Sequence, residues 1–284
     1  MPKQCEDWGD LKAAYRFLNN PKVTPEQIQQ AHRQRVRQRC QASPMVLAVQ
    51  DTTELDFTRH RTVEGLGPIG NGGGQGLLQH STRGVTPEGD LVGVLHQIWR
   101  TRVPVPDGET RRQRLGRRRE SDFWPESVRA IGSLGWDTRV VHVTDRGGDL
   151  FEMMFACGEQ DNAGFLIRAQ HNRWVDAGAD KLWSSMGKPA PVGYRDVPVP
   201  ARKGEPERIA HLSIRHARVS LNAPCRDPRS TEPITVWAVY SLEEDPPVGV
   251  EPIEWMLLTS EPIETLEDAC ERVDWYCLRW LIEE

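Results

Sequence analysis

Met45-Val-Leu-Ala-Val49 places five apolar residues in succession, the pattern of a strand buried on both faces. Polarity changes abruptly at Asp51, Thr52 and Thr53. The stretch Arg139-Val-Val-His-Val-Thr-Asp-Arg146 repeats the design, an apolar strand ending in an aspartate. Side by side, these strands would set Asp51 and Asp145 at one edge of a sheet. A carboxylate ending a buried strand needs a stabilising partner, and two such strands are a common way to assemble a divalent-metal site.

Leu11, Ala14, Tyr15, Phe17 and Leu18 recur at helical spacing. Asn20-Pro21-Lys-Val-Thr24-Pro25 then stops that helix and starts another, with Thr24 as N-cap and Pro25 at the first helical position. After Asp51 the chain is expected to stay extended through Phe57 and enter a glycine-rich loop, Gly65 to Gly76. This loop contains a formal Gly-x-Gly-x-x-Gly, but Pro68 interrupts it and no helix opens at its third glycine, so a mobile, substrate-contacting loop is expected instead of a nucleotide cradle. Leu77 to Arg83 and Leu91 to Trp99 read as a hairpin around Thr86-Pro-Glu-Gly-Asp90. Ser121-Asp-Phe-Trp-Pro125 caps a helix to about Leu134, Asp149 to about Gly158 reads as another, and Phe165 to Arg168 as a short strand. The fold class is α/β, a mixed sheet with helices packed on it.

From about Asn172 to Pro252 prolines and glycines punctuate short β-rich runs, Ile209 to Leu221 and Ile234 to Tyr240. Ile253 to Thr259 is one more apolar strand. The final element, Leu266 to Glu284, reads as a helix with a Thr265/Asp268 capping box and a stripe of Leu266, Cys270, Val273, Cys277 and Trp280. At about 100° per residue, Tyr276, Arg279 and Glu283 fall within roughly a 60° arc. Glu283 is the better candidate for an active-site acid than Glu284, which falls in the stripe, and Arg279 stands four residues before it, placed to orient the carboxylate or to hold a phosphate. The same spacing also occurs in ordinary surface ion pairs.

Charge modifies this picture only locally. Over 284 residues the net charge is −5, which argues against a general nucleic-acid coat. Arg33 to Arg39 and Arg111 to Arg119 are nevertheless basic clusters, suited either to phosphate contact along one face or to a solvated helix face and a charged loop. The six cysteines are scattered, with no Cys-x-x-Cys pair, and are expected to be free thiols. No apolar run approaches the ~20 residues of a membrane span. With no signal core at the N-terminus, a cytoplasmic location is expected.

Gln50-Asp51-Thr52-Thr53, Thr144-Asp145-Arg146-Gly-Gly-Asp149 and Tyr276-Cys-Leu-Arg279-Trp-Leu-Ile-Glu283 resemble the DDE transposases of the Tn-five-like, insertion-sequence-four group. The last matches that group's signature of Tyr, two residues, Arg, three residues, Glu. Leu95-His-Gln-Ile-Trp99 and Trp255 to Pro262 also resemble stretches of the group, in the same order.

The resemblance implies a ribonuclease-H-like mixed sheet flanked by helices, with a β-rich insertion before the last catalytic helix. The implied domains are an N-terminal helical segment at 1–43, the first part of the catalytic core at 44–171, the insertion at 172–252, and the last strand and helix at 253–284. It implies a catalytic core for cut-and-paste DNA transposition, in which two Mg2+ ions (Mn2+ may substitute), held by Asp51, Asp145 and Glu283, support phosphodiester cleavage and strand transfer. Tyr276, Arg279, Arg146 and Arg168 would contact DNA, with a structural ion-pair role as the alternative for Arg146 and Arg168. Trp255 would stack on a flipped base, the alternative being a core tryptophan at a strand end.

Implied partners are double-stranded DNA at transposon ends and target DNA. Homodimer pairing is implied for the full-length family but not extended to this chain, and no membrane is implied. The group's end-recognition domain upstream and dimerisation helices downstream are not found, so the chain is read as truncated at both ends. Two other readings stay open: an inactive relative that binds DNA or a full-length transposase as an inhibitor or relic, and a plain nuclease on the same fold.

Overall fold

The two apolar runs form neighbouring parallel strands at the centre of one large mixed sheet. The fold is given by a computed structural model that describes residues 5–60, 62–70, 73–103, 108–110, 113, 116–201, 206–222 and 232–283. Two helices lead in, α1 (Trp8–Leu18) and α2 (Pro25–Cys40). Thr24 caps α2 in a capping box with Gln27. Next come β1 (Met45–Asp56), β2 (Gly67–Ile69), β3 (Gly74–Val85), β4 (Leu91–Arg100), α3 (Phe123–Ile131), β5 (Arg139–Thr144), α4 (Phe151–Gly158) and β6 (Ala163–Arg168). The remainder is β7 (Trp174–Val175), β8 (Asp180–Lys181), α5 (Leu182–Gly187), β9 (Gly193–Val199), β10 (Arg208–Leu221), β11 (Ile234–Glu243), β12 (Glu254–Thr259) and α6 (Leu266–Cys277), followed by a 3-10 turn at Leu278–Ile282.

The strands run β4-β3-β1-β5-β6-β12-β11-β10 across the sheet. The pairs β4/β3 and β3/β1 are antiparallel, β1/β5 and β5/β6 parallel, and the rest antiparallel. β9 and β7 also pair with β10. The β-rich segment therefore continues the same sheet through β12.

Alternation along β1 divides the core. Val46 and Ala48 pack with Val36 and Cys40 of α2 and with Ile131 of α3. Leu47 and Val49 face Ala269, Val273 and Tyr276 of α6. Burial on both faces explains why the run reads as continuously apolar.

Three expectations change. The glycine-rich stretch is in part a hairpin, with Gly67 opposite Gly76 and Ile69 opposite Gly74. Gly76 is required because a Cβ there would lie 2.1 Å from the Leu55 carbonyl oxygen. Strand β1 runs on to Asp56, in line with the extension expected through Phe57, so the expected strand end at Asp51 becomes a mid-strand position where burial ends. The last helix stops at Cys277, about two turns short of expectation, with a 3-10 turn following it, and Glu284 is outside the described residues. Its buried positions are Ala269, Arg272, Val273, Trp275 and Tyr276, so the expected cysteine stripe lies at the edge of the core. The expected Thr265/Asp268 capping box is present. Among the described residues, no helix is long and apolar enough to cross a membrane.

Candidate active site

The parallel ladder between β1 and β5 ends at Gln50 opposite Thr144. Asp51 and Asp145 are the next residue on each strand, which brings two carboxylates to one edge. Asp51 is half-buried, and its Oδ1 accepts the Thr52 backbone N–H at 2.7 Å. Asp145 follows β5 directly and caps a short 3-10 turn, with Oδ1 accepting the Gly147 N–H at 2.8 Å. The two glycines after Arg146 let this turn pack tightly, since a Cβ on Gly148 would fall 2.2 Å from Thr144 Oγ1.

The third group arrives from the chain's last turn. Arg279 is only 8% exposed. Its Nη1 lies 3.5 Å from Asp51 Oδ2, and its Nη2 donates to Glu283 Oε1 at 2.9 Å. Burial pushes the Asp51 carboxyl up from its usual range. The charges of Asp145 and Glu283 add to that rise, against the Thr52 N–H and Arg279, which lower it. Asp51, Asp145, Glu283 and Arg279 thus form one electrostatic cluster.

Carboxylate oxygens are the donors that Mg2+ and Mn2+ prefer, and mutually repelling carboxylates are relieved by a cation. The donor chemistry fits a divalent ion. The arrangement is not closed, however. Among the described residues no three His, Cys, Asp or Glu side chains gather closely enough to hold an ion together. Glu283 is drawn to Arg279, because the i,i+4 ion pair forms across the 3-10 turn.

The remaining candidates divide. Arg146 is exposed beside Asp145, and no ion pair is found for it among the described residues. Arg168 donates to the Glu254 carbonyl at 3.1 Å and interacts with the Tyr276 hydroxyl. Tyr276 and Trp255, which the resemblance expects to contact DNA, lie beneath the surface. Both are buried, at 3% and 7% exposure, and pack edge-on with ring centroids 5.1 Å apart. They lie in the same cluster as Leu257, Ile263 and Val273, so Trp255 occupies the core position that was its alternative.

The first basic cluster is also partly structural. Arg37 donates to the carbonyls of Ile131 and Ser133, and Arg33 to Gln29. Part of the Arg111 to Arg119 cluster lies outside the described residues, and Arg117 pairs with Glu109. The thiols of Cys5, Cys40, Cys157, Cys270 and Cys277 are free, as expected, and Cys225 lies outside the described residues.

Two arrangements were not foreseen. Asp149 is buried and accepts the backbone N–H groups of Gln170 and His171 at 2.7 and 2.9 Å, while pairing with Arg173 at 2.5 Å. It clasps the segment after β6 against the Asp145 turn. On the other face of β1, the Thr52 hydroxyl donates to His80 Nδ1 at 2.8 Å. His80 Nε2 donates to Gln50 Oε1 at 3.1 Å, and Gln50 Nε2 donates to His142 Nδ1 at 2.8 Å. The available signal was a polar residue inside each apolar strand, Gln50 in β1 and His142 in β5.

The N-terminal helix α1 stands apart from this site. None of its residues is buried, and Trp8, Tyr15, Phe17 and Leu18 are exposed. A DNA-binding feature is found here, in a chain expected to carry no upstream recognition domain. Residues 1–23 match the family described as Transposase DNA-binding, and this similarity supports a transposase, with DNA as its partner.

Proposed function

We propose that the chain is the catalytic core of a DDE transposase of the Tn-five-like, insertion-sequence-four type. In this reading it cleaves DNA phosphodiesters with divalent metal and transfers the strand. The observation that carries it is the juxtaposition of Asp51 and Asp145 where two adjacent parallel strands end their pairing, with Arg279 from the last turn beside them. The order β4-β3-β1-β5-β6, antiparallel in its first part and parallel in its second, supports a ribonuclease-H-like core. The match of residues 1–23 supports DNA as substrate.

In this reading Asp51 and Asp145 would hold the ions, with Glu283 joining them from the last turn. Bound metal would supply an activated oxygen nucleophile and stabilise charge on the leaving oxygen. The chain's own residues orient these groups. The Thr52 and Gly147 N–H groups each hold one carboxylate oxygen. Arg279 and the exposed Arg146 offer guanidinium groups to backbone phosphates. The tight Gly147-Gly148 turn keeps Asp145 at the strand edge.

One contact leaves a second reading open. Arg279 engages one oxygen of Glu283, a contact that orients the carboxylate in an enzyme and that equally fits an inactive relative that binds DNA without cutting it. A nicking assay on supercoiled plasmid with Mg2+ or Mn2+, run beside a binding assay, separates the two. The enzyme reading expects nicking that disappears in Asp51→Asn and Asp145→Asn while binding persists. Binding without nicking in the wild-type chain would establish the second reading, and nicking unchanged by both substitutions would reject the site.

A further inference from the structure

The chain Thr52–His80–Gln50–His142 crosses three strands, β3, β1 and β5, directly beneath the candidate site. Gln50, His80 and His142 are all buried. Each donor along the line meets one acceptor, so each histidine is neutral and confined to one tautomer. The ring of His80 is fixed further by stacking on Phe123, with centroids 5.5 Å apart and planes at 18°, and by the edge of Trp124 at 5.0 Å.

Such a line is not the cheapest way to fill this space. Buried polar groups break even only when every hydrogen bond is made, and apolar side chains of similar volume often stabilise as well or better. The same face of β1 is filled by Val46 and Ala48 in its earlier part. Polarity begins at Gln50, one residue before Asp51.

The two ends of the line lie where position matters. At one end, the Thr52 side chain is held by His80, while the backbone N–H of the same residue grips Asp51 Oδ1 at 2.7 Å. At the other, Gln50 ties β1 to His142 of β5, the strand that delivers Asp145 three residues later. We infer that this line is a positioning device that holds Asp51 in register with Asp145 for a shared divalent cation, with His80 as the positioning residue. The inference rests on the metal-dependent reading above and adds residues outside the carboxylate cluster.

Mn2+ binding to the full chain, measured by the electron paramagnetic resonance of the free ion, tests it alongside thermal melting. Groups that orient metal ligands typically change affinity about 10–100-fold when removed. Thr52→Val and His80→Phe should each weaken Mn2+ binding on that scale while the chain still melts cooperatively. Thr52→Ser, which keeps the hydroxyl, should bind nearly as wild type. If His80→Phe fails to fold, Thr52→Val decides, because its side chain is only half-buried and nearly isosteric. Wild-type affinity in Thr52→Val, with affinity lost in Asp51→Asn, would overturn the positioning role. Full affinity in Asp51→Asn would instead sink the metal reading beneath it.

Discussion

At the scale of single residues, Asp51 is where stability and chemistry oppose each other. Burial and two nearby carboxylates raise its pKa, so the folded chain holds the proton more tightly than the unfolded chain does. The sign follows. Stability falls as pH rises from the unfolded carboxyl range through the raised folded value, and the charged form persists at neutral pH as a destabilising group. Asp51→Asn should therefore raise the melting temperature at pH 7 in chelator, and the wild-type chain should recover the difference when Mg2+ is added. An unchanged or lower melting temperature in Asp51→Asn would contradict this account. Trp255 carries the opposite expectation. It is buried against Tyr276 in the core beneath α6, so Trp255→Ala should cost about 3–5 kcal/mol in denaturant unfolding. A loss below about 1 kcal/mol would return the indole to a surface role such as base stacking.

At the scale of elements, the central strands carry a pH signature of their own. Burial pushes His80 and His142 down to about 3, with His96 and Arg100 of β4 adding to the effect at His80. Burial also lowers His96 to about 4, Arg33 pushing the same way and Glu126 opposing. A depressed histidine pKa means that the folded state binds fewer protons. The stability it permits is fully present above about 6.5 and is lost as pH falls toward about 3 or 4. Each such histidine contributes a slope of up to about 1.4 kcal/mol per pH unit in that window. His142→Phe should flatten the acid limb of the stability curve, and an unaltered limb would show that another group controls it.

The same strands show what could be read in advance. β1 and β5 were legible because burial on both faces leaves an unbroken apolar run, and the polarity break marked both aspartates. The hydrogen-bonded line was not, because it depends on register. Thr52 meets His80 only through an antiparallel pairing set 28 residues away. The end of the last helix was misjudged for a local reason. A constant 100° step fails once Leu278–Ile282 tightens to 3-10 geometry, yet Arg279 and Glu283 still meet because the long arginine side chain reaches Glu283 Oε1 at 2.9 Å. Trp255 is buried, as the core alternative read from its strand-end position expects, while base stacking rests on the resemblance alone.

At the scale of the whole molecule, α1 stands apart from the packed core. No residue of α1 is buried, so it contributes little to the stability of the sheet, and residues 1–23 are the stretch that matches a transposase DNA-binding family. These residues carry four basic and three acidic side chains (Lys3, Lys12, Arg16, Lys22; Glu6, Asp7, Asp10). A nearly neutral segment releases few counterions, so any contribution it makes to DNA binding would come mainly from directed contacts, and a salt-dependent part would fall to arginines elsewhere. Deleting residues 1–23 leaves Thr24 in place as the cap of α2. The shortened chain should melt within a few degrees of wild type and bind Mn2+ unchanged. It should lose most of its preference for element-end DNA over random duplex, while the slope of log affinity against log salt changes by less than about 1. A large fall in melting temperature would mean that α1 packs on the core in solution. A collapse of the salt slope with preference retained would mean that α1 is an electrostatic anchor and that sequence is read by another part of the chain.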